Sequence, residues 1–167
     1  MKKVAIFDWD AHHGNSTQDI FYEDSSVLFI SMHRFNKGNF YPGNQGDVKF
    51  AGKDKGEGFN LNIGWNHDLM TDIKLPDDEE YVYAFERMIY PVIQEFNPDF
   101  MIVSAGFDSA KGDPLGELGV TQDGYAYMMS RLMKLAGGKV MAVLEGGYNL
   151  DVTAECAEST IRVMLGE

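Results

Sequence analysis

The sequence has 167 residues, 44% hydrophobic and 24% charged, a composition typical of one globular domain and unlike that of a disordered chain. Its formal charge of −12 comes from 26 acidic and 14 basic residues, and it disfavours direct nucleic-acid binding because it repels phosphate. The single cysteine excludes an internal disulfide, and no apolar stretch has the length of a signal peptide or membrane span, so we expect an intracellular protein that does not insert into membranes.

Short apolar runs rich in valine, isoleucine and phenylalanine predict five buried strands, at residues 4–7, 27–32, 59–63, 100–105 and 140–144. Amphipathic patterns predict helices at residues 77–96, 125–136 and 152–165. Pro91 is expected to bend or break the first of these helices, and Gly137 with Gly138 to end the second. This alternation favours an α/β fold with a mostly parallel sheet and helices on both faces.

Two further features concern how the chain is organised. The segment 36–58 contains six glycines and predicts a long surface loop, and loops of that length are often functional. The first strand begins at residue 4, with no earlier element to cover it. We therefore expect the sheet to be incomplete at its N-terminal side.

Three polar side chains, Asp8, Asp10 and His12, follow the first strand at a spacing of two residues. Residues two apart in a strand point to the same face, and open α/β sheets bind ligands at the carboxyl ends of their strands. Two carboxylates and an imidazole are costly to bring together unless a cation or hydrogen bonds satisfy them. The run therefore predicts a metal or catalytic site, the alternative being a capping aspartate followed by a polar turn.

Two further motifs follow apolar strands. Ser-Ala-Gly-Phe-Asp ends at Asp108, which is either a third metal ligand beside Asp10 and His12 or a helix cap. Three protein ligands with an open position for water are typical of catalytic zinc, and the oxygen-rich set also accepts Fe²⁺. Leu-Glu-Gly-Gly-Tyr ends at Tyr148, whose phenol either donates to a developing oxyanion or packs within a glycine turn.

Together these motifs resemble the histone deacetylase family, specifically its class II branch, over nearly the whole chain. The resemblance is carried by residues 8–15, 17–22, 33–35, 38–43, 104–114 and 144–150. It implies a three-layer, arginase-like α/β fold in which residues 1–167 are the C-terminal portion of a single deacetylase domain. It also implies hydrolysis of acetyl-lysine in histones or other proteins, in the nucleus or cytoplasm, with corepressor-type complexes among the partners.

The resemblance also implies roles for individual residues. Asp10, His12 and Asp108 are similar to the family's zinc ligands, and Tyr148 to the tyrosine that polarises the acetyl carbonyl. Class IIa enzymes carry histidine there, so Tyr148 indicates a IIb-like pattern. A structural K⁺ site is implied at Asp8, Asp10, His12, Ser31 and Met32. A second monovalent-cation site is implied at Phe21, Asp24, Val27 and Phe59. Contacts with the acyl-lysine substrate are implied at Tyr41, Gly106, Phe107, Leu115, Gly146 and Gly147.

The sequence departs from the family in its histidines. The family's general base belongs to a paired-histidine motif upstream of the first metal motif, and this chain has only His12, His13, His33 and His67. None of the last three matches a base position. Three hypotheses follow: part of a working deacetylase whose base lies upstream, a non-catalytic metal-binding or interaction module, or a haloacid-dehalogenase-type phosphatase. Ala11 disfavours the phosphatase, which requires threonine or valine at that position.

Overall fold

The computed structural model describes residues 2–66 and 75–167 of the chain. Within those residues, five parallel strands form a single sheet in the order β3-β2-β1-β4-β5. The strands are β1 (Val4–Asp8), β2 (Val27–Arg34), β3 (Asn60–Trp65), β4 (Phe100–Ala105) and β5 (Val140–Leu144). All five predicted strands are present, although β1 ends one residue later than predicted, β2 and β3 end two residues later, and β3 begins one residue later. The expectation that all five are buried is wrong for β5, an edge strand in which Met141, Val143 and Leu144 are exposed.

Helices connect β1 to β2, β3 to β4 and β4 to β5, and one more follows β5, whereas the connection from β2 to β3 is a long loop with three short 3₁₀ turns. The helices are α1 (Asn15–Phe21), α2 (Asp78–Ala84), α3 (Tyr90–Phe96), α4 (Gln122–Leu132) and α5 (Leu150–Leu165). Between α2 and α3 the chain continues as a π-helical turn, Phe85–Ile89, and Pro91 lies in the first turn of α3. Proline is tolerated there because the first N–H groups of a helix have no intrahelical acceptor. The expected break in the helix at Pro91 therefore takes the form of one π-helical turn, which is wider than an α-helical turn.

The predicted ends of the last two helices are wrong in part. α4 begins three residues earlier than predicted because Thr121 caps it, its side chain accepting a hydrogen bond from the Asp123 N–H at 3.2 Å. It ends at Leu132, so Gly137 and Gly138 do not cap it and instead lie with positive φ in the 3₁₀ turn before β5. α5 likewise begins two residues early, because the Asn149 side chain accepts from the Val152 N–H.

Helices cover both faces of the sheet, which confirms the three-layer α/β architecture. The main core packs alternate strand residues such as Phe7, Leu28 and Val103 against α2, α3, α4 and α5. The opposite face carries a smaller apolar cluster that packs against α1. Its members are Ile6, Val27, Phe29, Val4, Phe21 and Ile102. No helix among residues 2–66 and 75–167 has the length and apolar character needed to cross a membrane.

The strand order determines where the polar motifs meet. β1 lies between β2 and β4, with Asp8 paired in register to Ser31 on one side and Ser104 on the other. The loops that follow β1 and β4 therefore leave the sheet side by side, and they carry Asp10 and Asp108. Open parallel sheets bind ligands at this edge.

Candidate active site

Asp10, His12 and Asp108 converge at the carboxyl ends of β1 and β4. His12 Nδ1 lies 3.1 Å from Asp10 Oδ1 and 2.8 Å from Asp108 Oδ2. One ligand atom from each of the three residues lies within 4.8 Å of the others, a spacing that one ion spans. Both carboxylates are buried, whereas His12 is partly exposed on the cleft side. Two carboxylates and an imidazole with an open side are a donor set that suits zinc.

Hydrogen bonds hold the His12 imidazole between the two carboxylates. Hydrogen bonds to the Asp10 and Asp108 carboxylates raise the pKa of His12 to about 10. Burial raises the pKa of Asp108 to about 6. Burial acts in the same sense on Asp10, but its hydrogen bonds from His12 and other donors lower its pKa overall. A bound cation would replace the positive charge that His12 supplies.

Backbone N–H groups orient both carboxylates. Ala11 N–H donates to Asp108 Oδ1 at 2.6 Å, which leaves Oδ2 facing His12. Gly146 N–H donates to Asp10 Oδ2 at 2.8 Å, and His12 N–H donates to Asp10 Oδ1 at 2.7 Å. Hydrogen bonds of this kind fix ligand orientation before a metal binds.

Glycines allow the backbone to approach the carboxylates. A Cβ atom on Gly106 would lie closer than 3.0 Å to the Asp10 carboxylate, and one on Gly146 would lie as close to both Asp10 and Asp108. Gly147 has a φ of 144°, which other residues rarely adopt. Two of the predicted substrate-contact glycines, Gly106 and Gly146, therefore adjoin the ligand carboxylates.

Aromatic rings surround His12 on its open side. Phe40 stacks on the imidazole with ring centroids 4.9 Å apart, and the rings of Tyr41 and Tyr148 each lie 6.2 Å away. Tyr41 is 69% exposed and Tyr148 50% exposed. Partial burial and the nearby carboxylates of Asp108 and Asp10 raise the pKa of Tyr148, so its hydroxyl keeps its proton. A protonated phenol at this position can donate to an oxyanion.

The cleft in front of these groups has a volume of about 520 Å³, and its walls include Tyr41, Gly146, Gly147 and Tyr148. Leu115 lies in an exposed turn after β4. Phe107 is 3% exposed, and its ring packs against Tyr125 at 5.2 Å in the main core.

Of the residues predicted for K⁺, Asp8, Asp10 and His12 line the cleft, and Ser31 and Met32 belong to β2. Asp8 pairs with Ser31, and Met32 is the next residue of β2. Burial, together with the negative charge of Asp10, raises the pKa of Asp8 well above its ordinary value. A cation would favour the ionised form of this carboxylate, so the donor set fits one.

The four residues of the predicted second cation site lie in and beside the turn between α1 and β2. Asp24 N–H donates to the Phe21 carbonyl at 3.0 Å, and the Asp24 carbonyl accepts from Val27 N–H at 3.4 Å. The Phe59 carbonyl accepts from Phe29 N–H in β2 at 2.9 Å. The carbonyls of Phe21, Asp24 and Phe59 therefore each already accept a backbone hydrogen bond.

His13 and His33 pack together in the interior, with ring centroids 4.7 Å apart. His13 Nε2 donates to Gln18 Oε1 at 3.1 Å, and His33 Nε2 donates to the Gly46 carbonyl at 3.0 Å. Burial lowers the pKa of both imidazoles, that of His33 to about 3. Both are therefore neutral and engaged in internal hydrogen bonds. His67 lies outside the described residues.

Sequence reasoning missed three residues around the cleft. Phe40 stacks on His12, and the Arg34 guanidinium lies over the Phe40 ring at 4.5 Å while donating to the Gly116 carbonyl at 3.2 Å. Asp113 accepts backbone hydrogen bonds from two segments. The order Gly-Asp-Pro is a turn pattern in which aspartate binds nearby backbone N–H groups, a signal that could have identified Asp113.

Comparisons with known proteins agree with the motifs. A family model described as histone deacetylase domain matches residues 1–164. Histone deacetylase HDA1 of Candida albicans is 49% identical over 100% of this chain and 19% of its own length. For histone deacetylase 15 of Arabidopsis thaliana the identity is 48%, over 99% of this chain and 29% of that protein. This chain therefore spans less than a third of the length of these curated relatives.

Two solved structures have closely similar folds. The HD domain of HDA15 superposes with a TM-score of 0.93 at 48% identity, covering 99% of this chain and 45% of that one. The structure of the histone deacetylase Clr3 also gives a TM-score of 0.93, at 46% identity, covering 99% of this chain and 27% of that one.

Proposed function

The chain belongs to the class II branch of the histone deacetylase family, and we propose that it carries the zinc-binding part of a domain that hydrolyses acetyl-lysine. The observation that supports the proposal is the convergence of Asp10, His12 and Asp108 beside the Tyr148 ring. Retention of tyrosine at position 148 supports a IIb-like assignment. The proposed substrates are acetylated lysine peptides of histones or other proteins in the nucleus or cytoplasm.

The residues divide the chemistry between them. Zinc held by Asp10, His12 and Asp108 would polarise the amide carbonyl and lower the pKa of a water molecule, and Fe²⁺ suits the same donors. Tyr148 donates its hydroxyl proton in a hydrogen bond to the carbonyl oxygen as negative charge develops there. Tyr41 packs along the apolar stem of the lysine.

We propose supporting roles for the remaining predicted residues. K⁺ bound at Asp8, Asp10, His12, Ser31 and Met32 would stabilise the ionised Asp8 carboxylate beside the zinc ligands. Leu115, with Gly106 and Gly147, contributes apolar and backbone contacts to the acyl-lysine, in keeping with an uncharged amide substrate. The second monovalent cation would bind the carbonyls beside the α1–β2 turn. The proposed protein partners are corepressor-type complexes.

Hydrolysis also requires a general base. Among the described residues, His13 and His33 are held in internal hydrogen bonds, so we propose that the family's paired-histidine base comes from sequence outside these 167 residues. General acid–base catalysis typically contributes about 100- to 10,000-fold in rate. The isolated chain should therefore hydrolyse its substrate weakly or not at all.

The test is acetate release from an acetylated histone-tail peptide. It would compare the 167-residue chain, the same chain extended upstream in its reading frame, and the extended Tyr148→Phe variant. Turnover by the extended form that is lost in Tyr148→Phe supports a deacetylase. Absence of turnover in both forms would contradict it and favour the second candidate, a non-catalytic module that binds metal or protein partners. The internal hydrogen bonds of His13 and His33 are compatible with both candidates, and turnover by the extended form separates them.

A further inference from the structure

Asp113 is a buried carboxylate, 6% exposed, in the connection between β4 and α4. Its Oδ1 accepts hydrogen bonds from the backbone N–H groups of Leu115 at 2.8 Å and Gly116 at 3.0 Å. Its Oδ2 accepts from the Tyr148 N–H at 2.7 Å. Charge-assisted bonds of this kind are roughly twice as strong as neutral ones.

The donors belong to two segments of the cleft that are remote in sequence. Leu115 and Gly116 lie in the turn after β4, whereas Tyr148 lies 35 residues beyond Asp113, in the loop after β5. A second bond, from Asn149 Nδ2 to the Gly112 carbonyl at 3.0 Å, joins the same two segments. One carboxylate therefore connects a substrate-contact turn to the proposed oxyanion donor.

The Tyr148 side chain contacts the His12 ring edge-on, at 6.2 Å between centroids, and makes few other contacts. Half of it is exposed, and across residues 2–66 and 75–167 no hydrogen bond to its hydroxyl is present. The preceding part of its loop is fixed by Gly146, whose carbonyl accepts from Phe107 N–H at 2.7 Å. Between Gly146 and α5, the loop contains Gly147, whose backbone is permissive. The bond from the Tyr148 N–H to Asp113 is therefore the one hydrogen bond of the described residues that holds the Tyr148 backbone itself, beside the Asn149–Gly112 bond at the next residue.

We propose that Asp113 is a positioning residue that holds Tyr148 over the metal site and ties it to the Leu115 turn. The inference rests on the proposed role of Tyr148 as oxyanion donor. Asp113 itself contacts neither the substrate nor the reacting atoms. Its effect on rate comes from where it places the phenol, and small misplacements of a catalytic group cost about 100-fold in rate.

The Asp113→Asn substitution distinguishes the hydrogen bonds from Leu115 and Gly116 from the hydrogen bond from Tyr148. The single carbonyl oxygen of asparagine can still accept from Leu115 and Gly116. Its NH₂ group, however, would face the Tyr148 N–H, donor against donor. The matched control is Asp99→Asn. The Asp99 carboxylate also accepts hydrogen bonds from two backbone N–H groups, those of Lys2 and Lys3, but it lies just before the N-terminal end of β4, at the opposite edge of the sheet from the cleft.

The first measurement is amide hydrogen exchange in the 167-residue chain, which needs no catalytic activity. Asp113→Asn is expected to accelerate exchange at the Tyr148 N–H at least tenfold and at Leu115 and Gly116 less than threefold, while Asp99→Asn leaves all three unchanged. Equal acceleration at the three amides, or none, would overturn the proposed tie.

The second measurement is turnover by the upstream-extended chain. Asp113→Asn is expected to lower kcat by about 10- to 100-fold with KM and zinc affinity within twofold of wild type. In a Tyr148→Phe background, Asp113→Asn should change kcat less than twofold, because the group it positions is already gone. Equal effects in both backgrounds would show a merely structural role and overturn the proposal. An inactive wild type would contradict the proposed function instead, and the exchange result would still decide whether Asp113 holds Tyr148.

Discussion

Replacing Gly106 with alanine should weaken zinc binding more than it weakens the fold. Gly106 directly follows β4, and a Cβ atom there would lie closer than 3.0 Å to the Asp10 carboxylate. Asp10 cannot retreat freely, because Gly146 N–H and His12 N–H hold its two oxygens at 2.8 and 2.7 Å. The added methyl group must therefore displace a proposed metal ligand.

The size of the effect follows from the cost of overpacking. Inserting a methyl group into a filled site costs about 1–3 kcal/mol. If this cost applies only to the metal-bound state, the zinc dissociation constant rises about 5- to 150-fold, because about 1.4 kcal/mol corresponds to a tenfold change in a dissociation constant.

Competition with a chromophoric chelator measures the zinc dissociation constant, and thermal unfolding of the metal-free chain measures stability. The matched control is Gly166→Ala at the end of α5, where φ is +83° and a Cβ atom would have no neighbour within 4 Å. It should cost about 1 kcal/mol of stability through the backbone alone and leave zinc affinity unchanged. Wild-type zinc affinity in Gly106→Ala would refute the assignment of Asp10 as a ligand.

Three further outcomes are expected. Because its carboxylate partners raise the pKa of His12 to about 10, His12 is protonated below that pH in the metal-free chain. Zinc binding near pH 7.5 should thus release about one proton from His12, and zinc affinity should rise with pH. Calorimetry in two buffers of different ionisation enthalpy would measure the number of protons released. Release of no proton would contradict the expected protonation of His12. Tyr148→Phe should lower turnover by the extended chain by about 100- to 1,000-fold with zinc affinity within twofold, as steady-state kinetics and chelator competition would report; an unchanged kcat would exclude Tyr148 as the oxyanion donor. Phe107→Ala should lower the free energy of unfolding by about 3–5 kcal/mol in urea denaturation, since the ring is buried in the core; a loss below about 1 kcal/mol would place the ring in the cleft instead.

The fold was predictable where hydrophobic pattern alone decides the structure. The apolar runs 100–105 and 140–144 match β4 and β5 at both ends. β4 lies inside the sheet and is largely buried, as its apolar character on both faces predicts. β5 is the edge strand, and its equally apolar residues Met141, Val143 and Leu144 are exposed, so its burial was not predictable from the pattern. Helix starts were less predictable. Thr121 and Asn149 begin α4 and α5 through side-chain caps that precede the first apolar residue.

The residues of the site were predictable where each follows directly on a predicted strand. Asp10 and Asp108 were expected at one edge because each follows a strand, and the order of β1 and β4 makes the two loops neighbours. The link between Asp113 and Tyr148 was not predictable, because it depends on two loop conformations and joins residues 35 positions apart. The interior position of the Phe107 ring was also missed, since one residue next to a ligand gives no periodic signal.

X-ray absorption at the zinc edge tests most directly the claim that Asp10, His12 and Asp108 hold zinc. A chain loaded with one zinc should show only oxygen and nitrogen donors, at about 2.0–2.2 Å, including one imidazole. The imidazole signature should disappear in His12→Ala. A sulfur donor at about 2.3 Å, or an imidazole signature that persists in His12→Ala, would contradict the account.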